Sequence, residues 1–92
     1  MKKKDENNKN TMKSALTKRK TEYLVCISLG LKNSETAKIL VVSESAVKKA
    51  SLEIYKILNA KDRANAVTIG FIKKILNEDI IGKIAEKYNI QH

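Results

Sequence analysis

Proline is absent from this chain of 92 residues, and glycine occurs only three times. Because these two residues interrupt α-helices most strongly, their scarcity leaves most of the chain free to form helices. Leu, Ile, Ala, Lys and Glu are frequent, which also favours helices over strands. A chain this short cannot divide into two cores and still bury enough apolar surface in each. The sequence therefore predicts one all-α domain, a small bundle of helices.

The excess of positive charge limits the kinds of partner that this chain can bind. The formal net charge is +9, and residues 1–20 hold eight Lys or Arg against only Asp5 and Glu6. Such an excess on a small domain indicates a polyanionic partner, because neutralising phosphates releases condensed counterions. Composition alone does not distinguish DNA from RNA or from an anionic membrane.

Several function classes are excluded by what the chain lacks. Cys26 and His92 are each the single residue of their type, so neither an internal disulfide, a tetrahedral metal site nor a Cys/His nucleophile pair can be assembled. No Gly-rich phosphate loop, carboxylate pair, signal peptide or long apolar span is evident. We therefore expect no enzyme activity, no cofactor, no metal and no membrane partner, and a cytoplasmic, nucleoid-associated location.

Three segments follow from the distribution of apolar residues. Residues 1–14 are rich in Lys and Asn and have little to bury, so we expect a flexible basic arm. Residues 15–77 are predicted to form the folded domain, and residues 78–92 a C-terminal helical extension.

Apolar residues at intervals of three and four predict the helices. Helix one covers residues 17–29 and ends at Gly30, and helix two covers about 34–40 after an Asn33 cap. A tight turn follows at residues 41–43. Helix three then runs from a Ser43 cap to Asn59, which tolerates a left-handed backbone.

The C-terminal third has more apolar residues than a small core needs. Asp62 can cap a fourth helix, in which Val67, Phe71 and Ile75 lie at intervals of four, and a polar break at residues 77–79 can start a fifth. A continuous helix through that break is also allowed. The surplus apolar residues either pack within the monomer or form a dimer interface; they are Val67, Phe71, Ile75, Ile80 and Ile84.

Residues 33–52 have the layout of a helix-turn-helix, in which one helix braces on phosphates while the next enters the major groove. Residues 16–67 as a whole resemble the LuxR-type (FixJ- and GerE-like) DNA-binding domain without a gap. The resemblance lies in Leu16-Thr17-x-Arg19-x-x-Glu22-x-Leu24, Gly30-Leu31-x-Asn33-x-Glu35-x-Ala37, Leu40-x-Val42-Ser43-Glu44-x-x-Val47-Lys48, Leu58 and Arg63-x-x-Ala66-Val67.

This resemblance implies a transcription regulator that binds double-stranded DNA as a homodimer, with the third helix in the major groove and dimerisation through the fourth. It implies a stand-alone, GerE-like regulator without a receiver or ligand-binding domain. The groove-facing residues it implies are Lys48, Lys49 and Leu52. Phosphate-proximal residues would be Ser45, Ala46 and the helix starts at Asn33, Ser34 and Ser43, where backbone amides favour anions.

The sequence departs from the family pattern in the recognition helix and in helix one. Ala46 and Ala50 replace threonine and histidine, and Lys20 replaces a glutamate that would complete a capping box with Thr17. We interpret Lys18, Arg19 and Lys20 as solvated charge or weak phosphate contacts, and Cys26 as a core residue.

Three rival functions remain open at this point. A domain similar to region four of sigma factors would hold promoter DNA while contacting RNA polymerase. A protein-interaction module or anti-regulator would keep the fold without binding specific DNA, and a basic RNA-binding protein is the third.

Overall fold

The computed structural model of the chain describes residues 16–91; the arm expected over residues 1–14 and the terminal His92 lie outside this range. Residues 16–91 form five α-helices and no strand, which confirms the all-α prediction. The helices are α1 (Lys18–Ser28), α2 (Asn33–Leu40), α3 (Glu44–Leu58), α4 (Arg63–Ile72) and α5 (Glu78–Lys87).

Four of these helices begin with a side-chain oxygen that accepts a hydrogen bond from the backbone N–H three residues later. This bond satisfies one of the amides that a helix start leaves unpaired. The pairs are Thr17 with Lys20 (3.1 Å), Ser43 with Ala46 (3.0 Å), Asp62 with Asn65 (2.8 Å) and Asn77 with Ile80 (2.8 Å). The predicted caps at Ser43 and Asp62 are confirmed, and the Asn77 cap makes α5 a separate helix.

The predicted Asn33 cap is wrong, because α2 begins one residue earlier than expected. Lys32 is the N-cap, with extended backbone at φ −76° and ψ 162°, and Asn33 is already helical. The Lys32 N–H donates to Glu35 Oε1 at 2.7 Å. This contact satisfies the amide of the cap residue without any help from the Asn33 side chain, so the chain enters the helix at residue 33.

Each of the five helices is followed within two residues by a residue with a left-handed backbone, and the N–H of the next residue donates to the carbonyl five positions before it. This pairing satisfies carbonyls that a helix end leaves free. The left-handed residues are Gly30, Val41, Asn59, Lys74 and Asn89. The predictions for Gly30 and Asn59 are confirmed. Val41 is unusual, because β-branched residues rarely adopt positive φ.

Helix α4 is shorter than the apolar spacing predicted. It ends at Ile72, so Ile75 does not continue the stripe of Val67 and Phe71. The N–H groups of Ile75 and Leu76 both donate to the Gly70 carbonyl, at 2.8 and 3.0 Å. The absence of a Cβ at Gly70 lets Leu76 pack closely here, since an added Cβ would lie 3.0 Å from Leu76 Cδ1 and one of the two side chains would have to shift.

Helix α1 forms the centre of the core and packs against α3, α4 and α5, while α2 packs against α3. The buried side chains with the largest volumes are Leu24, Ile54, Leu76, Val25, Val47 and Cys26. The prediction that Cys26 is a core residue is confirmed. Burial raises the pKa of its thiol above the ordinary value, even though a hydrogen bond with Thr36 acts in the opposite direction. None of the described helices is long and apolar enough to cross a membrane.

Candidate nucleic-acid interface

One face of α3 is exposed along its length and bears the side chains predicted to face the groove. Ser45, Lys48, Lys49 and Leu52 lie at intervals of three and four, and Leu52 is 59% exposed. Neither Lys48 nor Lys49 has a carboxylate partner among residues 16–91. The opposite face of α3 packs into the core through Val47, Ala50, Ile54 and Leu58. The helix therefore presents two free ammonium groups while its other side is fixed.

The starts of α2 and α3 are less available to anions than the sequence indicated. Ser43 is exposed but its hydroxyl accepts from Ala46 N–H, and Asn33 and Ser34 are half-buried. Each first turn also contains a carboxylate, which compensates the partial positive charge of the helix start. These carboxylates belong to Glu35 in α2 and Glu44 in α3.

Arg19 braces the helix-turn-helix, and its side chain is 45% exposed to solvent. Its Nη2 donates to the carbonyl of Leu40, the last residue of α2, at 2.7 Å. Its Nη1 donates to Glu22 Oε1 at 3.2 Å. The interpretation of Arg19 as solvated charge agrees with this exposure, but the sequence did not show that its guanidinium also satisfies a helix-end carbonyl just before the turn.

Glu22 is a buried carboxylate that ties α1 to α5. Its side chain is 6% exposed, and it also accepts from Tyr88 Oη and Lys87 Nζ, each at 2.8 Å. Burial alone would raise the pKa of this carboxyl, but the hydrogen bonds from Lys87, Tyr88 and Arg19 outweigh it and hold the pKa below its ordinary value. Glu22 is therefore ionised at neutral pH and serves as a structural acceptor.

Lys20 links α1 to α3. Its ammonium lies 3.4 Å from Glu53 Oε1 on α3. Thr17 still caps α1 through the Lys20 backbone N–H. Replacing the family's glutamate therefore removes half of a capping box and introduces an ion pair between α1 and α3.

The predicted dimerisation residues belong to two different surfaces. Val67 and Phe71 lie on α4, where Phe71 is 46% exposed. Ile75, Ile80 and Ile84 are half-buried and line a groove between α1 and α5. The sequence pattern did not separate these sets, because it placed Ile75 in the same helical stripe as Phe71.

Residues 16–91 contain no group of three or more His, Cys, Asp or Glu side chains placed to hold a metal ion. The site is thus made of lysines, hydroxyls and backbone amides, groups that suit phosphate and base edges.

Comparison with known proteins identifies the family. Neither the curated proteins nor the solved structures give a match to this chain. The family model for bacterial regulatory proteins of the luxR family (GerE) matches residues 14–69, which is more than half of the chain and includes α1, α2 and α3. The chain therefore belongs to the luxR family of bacterial regulatory proteins, and it contains the helix-turn-helix DNA-binding domain of a transcription regulator.

Proposed function

We propose that this protein regulates transcription in the cytoplasm by binding specific double-stranded DNA as a homodimer, with α3 in the major groove. The observation that supports this most strongly is the exposed face of α3. Lys48 and Lys49 have no carboxylate partner among the described residues, and the surrounding helix is fixed to the core. An α-helix of this kind fits the major groove, where a lysine can donate to guanine O6 and N7.

Base contacts and phosphate contacts have separate roles in this proposal. Lys48 and Lys49 contact base edges with Leu52, which supplies an apolar contact. The starts of α2 and α3 lie near phosphates through Asn33, Ser34, Ser43, Ser45 and Ala46. Glu35 and Glu44 weaken this second group, so the phosphate contacts need another source of positive charge.

The basic N-terminal segment supplies that charge. Lys2, Lys3, Lys4, Lys9 and Lys13 precede the folded domain. Contacts from these lysines to phosphates add affinity that depends strongly on salt and little on sequence. Replacing all five with Ser should make the plot of log affinity against log salt shallower by about 0.9 for each phosphate that is no longer neutralised. An unchanged slope would rule this role out.

Dimerisation through α4 accounts for its exposed apolar side chains. Val67 and Phe71 are one turn apart, and a shallow depression of about 210 Å³ beside them is lined by Ile27, Arg63, Ala64 and Val67. A two-fold interface pairs this surface with itself, so each protomer offers both an aromatic side chain and a depression. Two such protomers place two α3 helices on a two-part DNA site.

The decisive experiment is selection from a random-sequence duplex pool, followed by sequencing of the retained DNA. The wild-type protein should enrich a two-part motif, and a Lys48→Ala, Lys49→Ala variant should enrich none. Lys73→Ala with Lys74→Ala is the matched control, because it removes the same charge from exposed lysines that also have no carboxylate partner among residues 16–91. Equal enrichment by wild type and the α3 variant would overturn the proposal.

The dimer has its own test by analytical ultracentrifugation. Phe71→Glu should shift the protein to monomer, since a charge in an apolar interface is not solvated. The matched control is Leu52→Glu, which changes another exposed apolar residue outside α4 and should leave the association state unchanged. Sedimentation of the wild type as a monomer at the concentrations that bind DNA would contradict this part of the proposal.

A protein-interaction module is the second candidate function, and Ala46 and Ala50 favour it because they stand where the family has threonine and histidine, so two polar groups that could contact DNA are missing from α3. In the pool experiment, such a module would retain duplex DNA in a salt-sensitive way without enriching any motif. The Lys48→Ala, Lys49→Ala change would not alter this retention. A region-four-like contact with RNA polymerase would instead appear as capture of the polymerase by the DNA-bound protein.

A further inference from the structure

An apolar groove lies between the start of α1, the turn after α4 and one face of α5. Its aliphatic side chains are Leu16, Ile75, Ile80 and Ile84, and its volume is about 560 Å³. This volume falls within the range of ~300–1,000 Å³ that is common for ligand sites. The three isoleucines are half-buried, so part of their apolar surface remains in contact with water.

Five lysines surround this α1–α5 groove; they are Lys18, Lys73, Lys74, Lys83 and Lys87. Lys83 pairs with Asp79 at 3.3 Å, and Lys87 donates to Glu22 at 2.8 Å. The other three have no carboxylate partner among residues 16–91. The groove therefore combines an apolar floor with an excess of positive charge at its edge.

The backbone that presents these lysines is fixed. Lys74 has a left-handed backbone with φ 61°, and its N–H donates to the Phe71 carbonyl at 3.0 Å. Ile75 and Leu76 both donate to the Gly70 carbonyl. Since Leu76 is 1% exposed and anchors the turn in the core, the positions of Lys73 and Lys74 relative to α1 are set by the fold.

We propose that the α1–α5 groove is the docking site for an acidic amphipathic helix of a partner protein. Helices of this kind insert apolar side chains at intervals of three and four into a groove of matching chemistry. Aliphatic residues of the partner would cover Ile80, Ile84 and Leu16. Glu or Asp residues flanking them would meet Lys18, Lys73 and Lys74.

Charge argues against the other occupants. Residues 1–15 contain five lysines against two acidic residues, so this segment of the chain is repelled by the edge of the groove. A second copy docked through the same surface would bring the two sets of lysines together. DNA would engage the lysines but leave the apolar floor uncovered. None of the residues proposed to contact DNA lines the groove, so this inference is independent of DNA binding.

The test uses a defined probe, a fluorescein-labelled helical peptide of about five turns with Leu on one stripe and Glu on both flanks. Two matched peptides have Lys in place of Glu, or the same composition in scrambled order. Binding is measured by fluorescence anisotropy with the full-length protein. Methyl chemical shifts of the isoleucines are recorded in parallel, so that the bound surface is identified directly.

The acidic amphipathic peptide should bind, the two matched peptides should not, and the shifts should concentrate on Ile75, Ile80 and Ile84. The double variant Lys73→Glu, Lys74→Glu changes exposed residues and should weaken binding about tenfold or more. The Lys48→Glu, Lys49→Glu variant reverses charge on α3 and should change binding by less than about threefold.

Three results would overturn the proposal. One is no binding of the acidic peptide, and another is an equal loss of affinity in the two charge-reversal variants, which would indicate attraction by net charge alone. The third is binding to anionic phosphatidylglycerol vesicles, but not to the peptide, through the same lysines. That result would assign the groove to a lipid surface.

Discussion

The helix-turn-helix and the α1–α5 groove differ in how the contacts that build them are spread along the chain. Helix α3, the second helix of the helix-turn-helix, starts with a hydrogen bond between residues three apart, Ser43 and Ala46. The groove rests on Glu22, whose partners Lys87 and Tyr88 are 65 and 66 residues away. The first kind of contact is local and can be recognised from the sequence, whereas the second exists only once the helices have packed.

The two kinds of contact also differ in what their removal should cost. A helix cap is exposed, so water can replace much of the hydrogen bonding that a mutation of the cap removes. A buried carboxylate with three donors has no such replacement, because removing it leaves donors with neither partner nor full solvation. The substitutions below test this difference, beginning with the largest expected effect.

Glu22→Gln should destabilise the fold by about 2–3 kcal/mol, since it removes the buried negative charge that strengthens the hydrogen bonds from Arg19, Tyr88 and Lys87 and replaces one acceptor oxygen with an N–H donor. Urea unfolding at neutral pH measures this change. Glu53→Gln is the matched control, because it makes the same change in an exposed ion pair with Lys20 and should cost less than about 0.5 kcal/mol. Similar destabilisation by both variants would show that the buried carboxylate contributes no more to stability than the exposed one.

Acid should remove the same stabilisation. The pKa of Glu22 in the folded chain lies below its ordinary value of 4.5, so the unfolded chain binds more protons in the acid range. The ionised carboxylate therefore stabilises the fold above that value, and this stabilisation disappears as the pH falls towards the folded pKa. The stability gap between wild type and Glu22→Gln should be constant near neutrality and narrow below pH 4.5. A stability difference that widens as the pH falls would contradict a lowered pKa for Glu22 in the folded chain.

Two glycines test how tightly the C-terminal part packs on α1. At Gly70 an added Cβ would lie 3.0 Å from Leu76 Cδ1 and 3.1 Å from Leu24 Cδ2, and both leucines are buried. Gly70→Ala should therefore destabilise by about 1–2 kcal/mol despite the better helix propensity of alanine. Gly82 in α5 has nothing within 4 Å, so Gly82→Ala should stabilise by about 0.5–1 kcal/mol. Thermal unfolding of both variants compares them directly.

Strain in the turn of the helix-turn-helix should give an effect of about the same size as Gly82→Ala. Val41 and Asn59 both have left-handed backbones, with φ 57° and 56°. Asparagine tolerates this conformation and valine does not, so Val41→Asn should stabilise by about 1 kcal/mol. Asn59→Gly should change stability by only a few tenths of a kcal/mol. If Val41→Asn had no effect on the unfolding free energy, the turn would not be strained.

Local signals explain why much of the fold was predictable. The caps at Ser43 and Asp62 and the ends at Gly30 and Asn59 depend on residue types within one turn. The Asn33 cap failed for a physical reason that is also local: Glu35 accepts from the Lys32 N–H, and this contact makes Lys32, one residue before Asn33, the cap. Sequence pattern alone did not decide between these two arrangements.

Non-local features could not be predicted in the same way. Arg19 looks like an ordinary surface charge in sequence, and only the position of the Leu40 carbonyl shows its role as a brace. The end of α4 depends on the missing Cβ of Gly70 against Leu76. Only the spacing of Arg19 and Glu22 hinted at a pair, and nothing near them indicated that Lys87 and Tyr88 would join it.

We expect α3 to bind DNA through Lys48 and Lys49, and the groove lysines to serve another partner. The most direct test measures the affinity for the selected duplex, at one fixed salt concentration, of Lys48→Ala, Lys49→Ala beside Lys73→Ala, Lys74→Ala. Both variants lose the same charge. We predict that affinity falls about tenfold to a hundredfold for the α3 variant and less than about threefold for the groove variant. An equal fall in both would mean that binding follows net charge and would contradict the account.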